Sequence, residues 1–181
     1  MAGESRTDHE LVAAANAGDA AAFEALYRRH RDWVVRLAWR FTGSEHDALD
    51  VLQETFAYLF GKFPGFRLTA RMTTFLYPVV RNLSLNRLRK SRREAPLPDE
   101  AERSLPARGE PAPGAHDDLR ALLASLPDGE REVLLLRFAD GLAIKEIAEA
   151  LGIPLGTVKS RLHNALRALR DDPRTKNFFD R

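Results

Sequence analysis

The residues whose types and spacing suit chemistry lie near the carboxyl end. Thr157, Ser160, Arg161 and Asn164 recur at three- and four-residue intervals, so on a helix they share one face. Hydroxyl, guanidinium and carboxamide groups are those that hydrogen-bond base edges. Lys159, His163, Arg167 and Arg170 flank that face where they can meet phosphates, and no acidic residue occurs between Pro154 and Arg170. The pattern points to binding a polyanion and not to catalysis. The five histidines are dispersed, no acid pair or glycine-rich phosphate loop occurs, and Gly61-Lys62 lacks the upstream frame of a P-loop. Cysteine is absent, which removes thiolate nucleophiles, disulfides, thiolate metal sites and thiol switches. Neither an enzyme nor a metal or cofactor is expected.

The elements that must position this face read as a helix-turn-helix. In the run Gly141 to Leu162, two short helices have to cross closely, so the first carries small Ala148 and the turn carries Gly152. Ile147, Leu151, Ile153, Val158 and Leu162 are the apolar residues that lock the pair. Pro154 suits the entry of the second helix, where a missing N–H is no loss. Along that helix Val158, Leu162, Ala165 and Leu169 form the inward stripe, leaving Thr157, Ser160, Arg161 and Asn164 where a recognition helix meets base edges.

The rest of the chain is helical by the same criteria, and the fold class expected is all-α. Ala, Leu and Arg dominate its 181 residues while β-branched residues are sparse. Thr7-Asp8-His9-Glu10 has the pattern of a capping box, and Gly18-Asp19 reads as a stop followed by a new cap. Phe23, Leu26, Tyr27, Val34, Val35, Leu37, Ala38 and Phe41 recur at helical spacing up to Thr42-Gly43-Ser44. Ala48, Val51, Leu52, Thr55, Phe56 and Leu59 make a second stripe from Asp47 to about Phe60, which Lys62-Phe63-Pro64-Gly65 ends. After a loop to about Thr73, a helix is expected to carry Leu76, Val79, Val80, Leu83, Leu85 and Leu88 inward.

Charge is segregated, although the net charge is only +2. Seven basic and no acidic residues fall between Arg71 and Arg93, whereas Asp99 to Asp118 is mainly acidic. Prolines, glycines, alanines and charges without a hydrophobic period mark residues 95–116 as a flexible linker between a domain at 1–94 and one at 117–172, with a tail at 173–181. The linker's twenty-odd residues reach roughly 70 Å extended and about 25 Å as a relaxed coil, so the domains can sit more than one DNA turn of roughly 34 Å apart. Nothing nears the eighteen or so apolar residues of a membrane span and no signal-peptide pattern opens the chain, so a cytoplasmic protein without membrane insertion is expected.

Leu126-Pro127-Asp128-Gly129-Glu130-Arg131-Glu132-Val133-Leu134-Leu135-Leu136-Arg137-Phe138, with Ile147-Ala148 and Gly156 to Leu162, closely resembles region 4 of extracytoplasmic-function (ECF) sigma factors of the sigma-70 family. Asp47 to Phe56 resembles that family's polymerase-clamp-binding helix, and Thr74 to Asn82 the start of its promoter-melting helix. The resemblance covers about residues 10–93 and 117–170. It implies core RNA polymerase and promoter DNA, duplex and melted, as partners, and leaves open whether an anti-sigma protein binds. By the same resemblance Asp47, Asp50, Gln53 and Glu54 would meet the polymerase clamp. Without it, that row is an ordinary solvated acidic face. Phe63, Phe66, Arg67 and Arg71 would take a base flipped from the minus-ten element, although one of the two phenylalanines is expected to close the core. Arg81, Asn82, Arg87, Arg89 and Lys90 would follow the phosphates and the melted edge. Thr157, Lys159, Ser160, Arg161, His163, Asn164 and Arg167 would read the minus-thirty-five element.

The chain departs from the family pattern at several positions. Phe75 stands where Trp is frequent, and Ala143 where a Ser or Thr cap is common, a change worth about 1 kcal/mol. Asn164 and Leu166 replace frequent arginines. Pro78 would cost about 3 kcal/mol in a helix interior, so the helix is expected to begin only just before it, or to bend. Two rival readings share the helix-turn-helix: a dimeric operator-binding regulator, and a sigma mimic that sequesters an anti-sigma protein. Residues 10–93 lack the strand and helix alternation of a receiver domain, and the basic run from Arg81 to Arg93 argues against a mimic that never touches DNA.

Overall fold

The structure is a computed structural model that describes residues 6–94, 115–173 and 175, with side chains described over 6–91, 119–173 and 175. Among the described residues there are eight helices and no strand, as the all-α expectation required. The chain divides into two compact units, Met1–Gly109 and Glu110–Arg181. Most of the expected linker and the tail residues Phe178-Phe179 lie outside the described residues, and helix already begins at Ala115, covering the last two residues of the expected linker.

In the first unit, α1 (Asp8–Asn16) opens on the capping box. The Thr7 N–H donates to Glu10 Oε2 at 2.6 Å, and the Glu10 N–H donates to Thr7 Oγ1 at 3.3 Å. The stop and new cap fall where expected: Gly18 has φ 91°, and Asp19 Oδ1 accepts from the N–H groups of Ala21 and Ala22 at the start of α2 (Ala20–Thr42). Gly43 ends α2 in the left-handed region, and Ser44 caps α3 (Glu45–Phe60). Helix α2 is the spine against which α1, α3 and α4 (Met72–Glu94) pack. Leu26, Val34, Leu37 and Ala38 of α2 meet a core that includes Val51 and Leu59 of α3 and Leu76 and Val80 of α4, all essentially without solvent exposure.

Two expectations about these faces need correction. On α2, Ala22, His30, Trp33 and Thr42 are buried although the apolar spacing did not mark them, whereas Phe23, Tyr27, Val35 and Phe41 are only half-buried. On α4 the buried residues are Met72, Thr74, Leu76, Tyr77, Val80 and Ser84, while Val79, Leu83, Leu85 and Leu88 are half-buried. The expected set spread over more than one helical face, and only the part repeating every four residues turns inward. Helix α4 also starts at Met72, more than one turn before Pro78, so the proline is interior and removes the N–H that would pair with the Thr74 carbonyl.

The second unit contains α5 (Ala115–Ser125), α6 (Asp128–Phe138), α7 (Ile144–Leu151) and α8 (Leu155–Asp171). Leu126, Leu134 and Ala165 form a core on which Leu123, Leu162 and Leu169 pack. Arg131 reaches back to the end of α5 and donates to the carbonyls of Leu123, Ala124 and Leu126 at 2.7, 2.9 and 2.7 Å. The Leu123 carbonyl also accepts from the Leu126 N–H at 3.2 Å, and a cation is favoured at the carboxyl end of a helix. The turn between α7 and α8 is as expected, with Gly152 at φ 64° and Pro154 at the start of α8. Ile147 and Val158 are fully buried at the crossing, and Ala150 is more deeply buried there than Ala148.

Candidate functional site

On α3 the acidic row faces away from the core stripe, as its spacing requires, but it is not a bare acidic surface. Arg87 of α4 donates Nη1 to Asp50 and Nη2 to Glu54, and its Nη1 lies 3.9 Å from Asp47. The hydrogen bond that Arg87 donates to Glu54 is the largest influence on its guanidinium; burial opposes it, but with the hydrogen bond to Asp50 and the charge of both carboxylates the pKa is held above its ordinary value. Three carboxylates gathered on one helix would repel one another, and a shared cation removes that repulsion. Arg87, expected from the resemblance to follow the minus-ten DNA with Arg89 and Lys90, thus has its guanidinium on the acidic row of α3. The reason is rotational: Arg87 lies roughly 140° round α4 from Asn82, while Asn82 and Arg89 are two turns apart on one face. Asn82, Arg89 and Lys90 are exposed and Arg81 is half-buried.

Gln53 and Leu49 share the outer surface of α3, both exposed. His46 Nδ1 lies 3.4 Å from Asp50. His46, Asp47 and Asp50 bring potential ligand atoms within 4.8 Å of one another, the only such group among the described residues. Arg87 pairs with two of the three, closely with Asp50 and at 3.9 Å with Asp47.

The loop after α3 is held by aromatic packing. Phe66 is buried, its ring 5.5 Å from that of Phe63 and 4.8 Å from that of Phe75. Phe66 is therefore the phenylalanine that closes the core, and Phe63 is the half-buried one, packed edge-on to Phe23 at 5.8 Å. Phe75 supplies the ring that a Trp would otherwise bring. Arg67 and Arg71 are exposed. Two exposed aromatics escaped the reading of the sequence: Tyr58, which stacks on Phe75 at 6.4 Å under the ammonium of Lys62, and Phe60, 63% exposed. Their signal was available, since they flank the Val51, Thr55 and Leu59 stripe on its two edges. Asn16, also missed, bonds the loop backbone from the end of α1.

On α8, Val158 and Ala165 turn inward and Lys159, Ser160, His163 and Arg167 are exposed, while Thr157, Arg161 and Asn164 are half-buried. Ser160 Oγ donates to the Thr157 carbonyl at 3.0 Å. Arg161 lies back over the first turn of α6, so close that a Cβ on Gly129 would stand 3.0 Å from its Cζ. Gly129 leaves the space that the guanidinium occupies. The three surfaces can bind, by charge, hydrogen bonding and stacking.

Two family models match the chain: Sigma-70 region 2 over residues 26–94 and Sigma-70, region 4 over residues 116–169. The sequence is 38% identical to the ECF RNA polymerase sigma factor SigE of Mycolicibacterium smegmatis over 85% of this chain and 63% of that relative, so the chain spans under two-thirds of its length. It is 30% identical to the ECF RNA polymerase sigma factor SigW of Bacillus subtilis over 84% of this chain and 89% of that one. Among solved structures, CnrH in complex with the cytosolic domain of CnrY superposes with a TM-score of 0.64 at 24% identity, covering 89% of this chain and 93% of that one, a likeness of fold.

Proposed function

Since the chain belongs to the extracytoplasmic-function RNA polymerase sigma factors of the sigma-70 family, we propose that it directs core RNA polymerase to particular promoters by dividing recognition between its two units. Residues 117–172 read upstream duplex through α8, residues 1–94 dock on core polymerase and engage the opening strand, and residues 95–116 span the gap. The observation that carries this reading is α8, the second helix of a helix-turn-helix, whose exposed Lys159, Ser160, His163 and Arg167 stand on a face without acidic residues.

Each unit contributes through a distinct kind of force. Lys159, His163 and Arg167 supply salt-dependent phosphate contacts, and Thr157, Ser160, Arg161 and Asn164 the groups that reach base edges at the minus-thirty-five element. Asp47, Asp50, Gln53 and Glu54 offer a negative, rigidly held surface to polymerase. At the minus-ten element Phe63 offers a half-buried ring, Arg67 and Arg71 add charge, and Asn82, Arg89 and Lys90 form the polar, basic track of α4. Flipping a base costs a few kcal/mol, and stacking on an aromatic ring returns roughly 1–3 kcal/mol of it. The chain's part is to bind and position, the bond-forming chemistry being the polymerase's. No described helix is long and apolar enough to cross a membrane.

Run-off transcription with core polymerase, with and without the protein, tests the proposal. A promoter-dependent transcript only in its presence is the expected result. A protein that binds duplex DNA but gives no transcript with core would be the operator-binding regulator instead.

A further inference from the structure

One polar connection in the first unit joins elements that neither the acidic face nor the basic track explains. Asn16, the last residue of α1, donates from Nδ2 to the carbonyl of Phe66 at 2.8 Å, and its Oδ1 accepts from the N–H groups of Gly65 at 2.7 Å and Phe66 at 3.1 Å. A carboxamide offers a donor and a two-fold acceptor on a short stem, so it satisfies all three groups, whereas a carboxylate keeps the acceptor and lacks the donor. The loop needs such a partner. Gly65 turns it at φ 106°, and backbone groups outside a helix must find hydrogen bonds elsewhere.

Helix α1 is a firm support for this contact. At its start Asp8 accepts from Arg29 at 2.7 Å and lies 3.0 Å from His30 Nε2, and Leu11 and Val12 are buried. Bonds on both sides of Phe66 fix the peptide that sets where Phe63 packs and in which direction Arg67 leaves. Residues of α1 lie outside the stretch matched by the region 2 family model, 26–94.

We propose that Asn16 is a positioning residue and α1 a strut, together holding the 63–67 loop in the shape that receives the melted strand. The inference rests on the reading of that loop as a strand-binding element. Asn16→Ala and Asn16→Asp, made in the full chain, test it by amide hydrogen exchange and by open-complex formation with core polymerase. Exchange at Gly65 and Phe66 is expected to quicken by about tenfold or more in Asn16→Ala, with core amides such as Leu26 and Val34 unchanged. Permanganate reactivity on a duplex promoter should fall by about tenfold while a template already mismatched across the minus-ten region is opened normally, and Asn16→Asp should fall between. Unchanged exchange at Gly65 and Phe66, unchanged melting of the duplex, or an equal defect on both templates overturns the proposal. The parent protein separates this from the underlying reading: if it yields no promoter-dependent transcript, the strand-binding reading falls, and the exchange measurement still decides whether Asn16 holds the loop.

Discussion

Arg87 shows how one side chain changes the meaning of its neighbours. Because its guanidinium is shared by Asp50 and Glu54 with Asp47 nearby, removing it leaves three carboxylates to repel on one face. Arg87→Ala should lower stability by roughly 1 kcal/mol at low salt, the scale of a partly exposed network, and the deficit should shrink as salt is raised. Urea melts at two ionic strengths check this, and a deficit indifferent to salt would mean lost packing instead. Reversing charge at Asp50 or Glu54 would disturb this network together with any docking, whereas Gln53, exposed beside them, isolates the docking surface. Asp8 gives a second residue-scale prediction. Burial pushes its carboxyl up, but hydrogen bonds and charge from His30 and Arg29 outweigh that and hold it below the ordinary carboxylate value. A depressed folded-state pKa means that stability is present above the unfolded value and is lost as pH falls through the folded one. Asp8→Asn should therefore be less stable at neutral pH, with a shallower loss of stability in the acid range. Parallel acid slopes in the two proteins would remove Asp8 from that role.

At the scale of elements, the helix ends explain why so many short helices form at all. Thr7, Asp19 and Ser44 each accept from backbone N–H groups of the helix they open. Helices α6, α7 and α8 open without a side-chain cap, α6 and α8 after Pro127 and Pro154; at α7, Ala143 has extended backbone at φ −71° and ψ 154° but no side-chain oxygen, and Glu146 Oε2 reaches back to the Ala143 N–H at 2.6 Å. Half of a capping box is in place. Ala143→Ser should complete it and raise the stability of the second unit by about 1 kcal/mol, since the backbone there already has the conformation a cap requires. A thermal melt that does not move would show that the exposed start of α7 adds nothing to the cooperative unit.

For the whole molecule, recognition and melting are separable predictions because the surfaces belong to different units. Replacing Phe63 should impair opening of a duplex promoter far more than transcription from a template mismatched across the minus-ten region. Phe66 cannot serve in that test, because emptying a buried ring site costs about 3–5 kcal/mol of stability. Arg161→Ala should reduce binding by about 1–3 kcal/mol and relax preference at one promoter position, hurting both templates alike. In the free protein Arg161 rests over Gly129, so reaching a base edge requires it to swing off α6. Run-off yields on the two templates check both substitutions, and equal defects from Phe63 would take melting away from the loop.

What the sequence determined by itself is whatever depends on neighbours along the chain. Caps at Thr7 and Asp19, the breaks at Gly43 and Gly152, the helix-turn-helix and the stripe on α8 all follow from residues within about one or two turns of each other. Tertiary structure decided everything that needed a distant partner. Arg87 meets Asp50 from 37 residues away, and Asn16 meets Phe66 from 50. Which phenylalanine of the loop is buried, which side of α4 carries Arg87, and where Arg161 rests were likewise settled by packing of one helix against another. A periodic pattern states which face of a helix is apolar, but it contains no information on the rotation that brings a particular polar side chain opposite another, and the candidate surfaces of this protein include such oppositions, Arg87 against Asp50 and Glu54 among them.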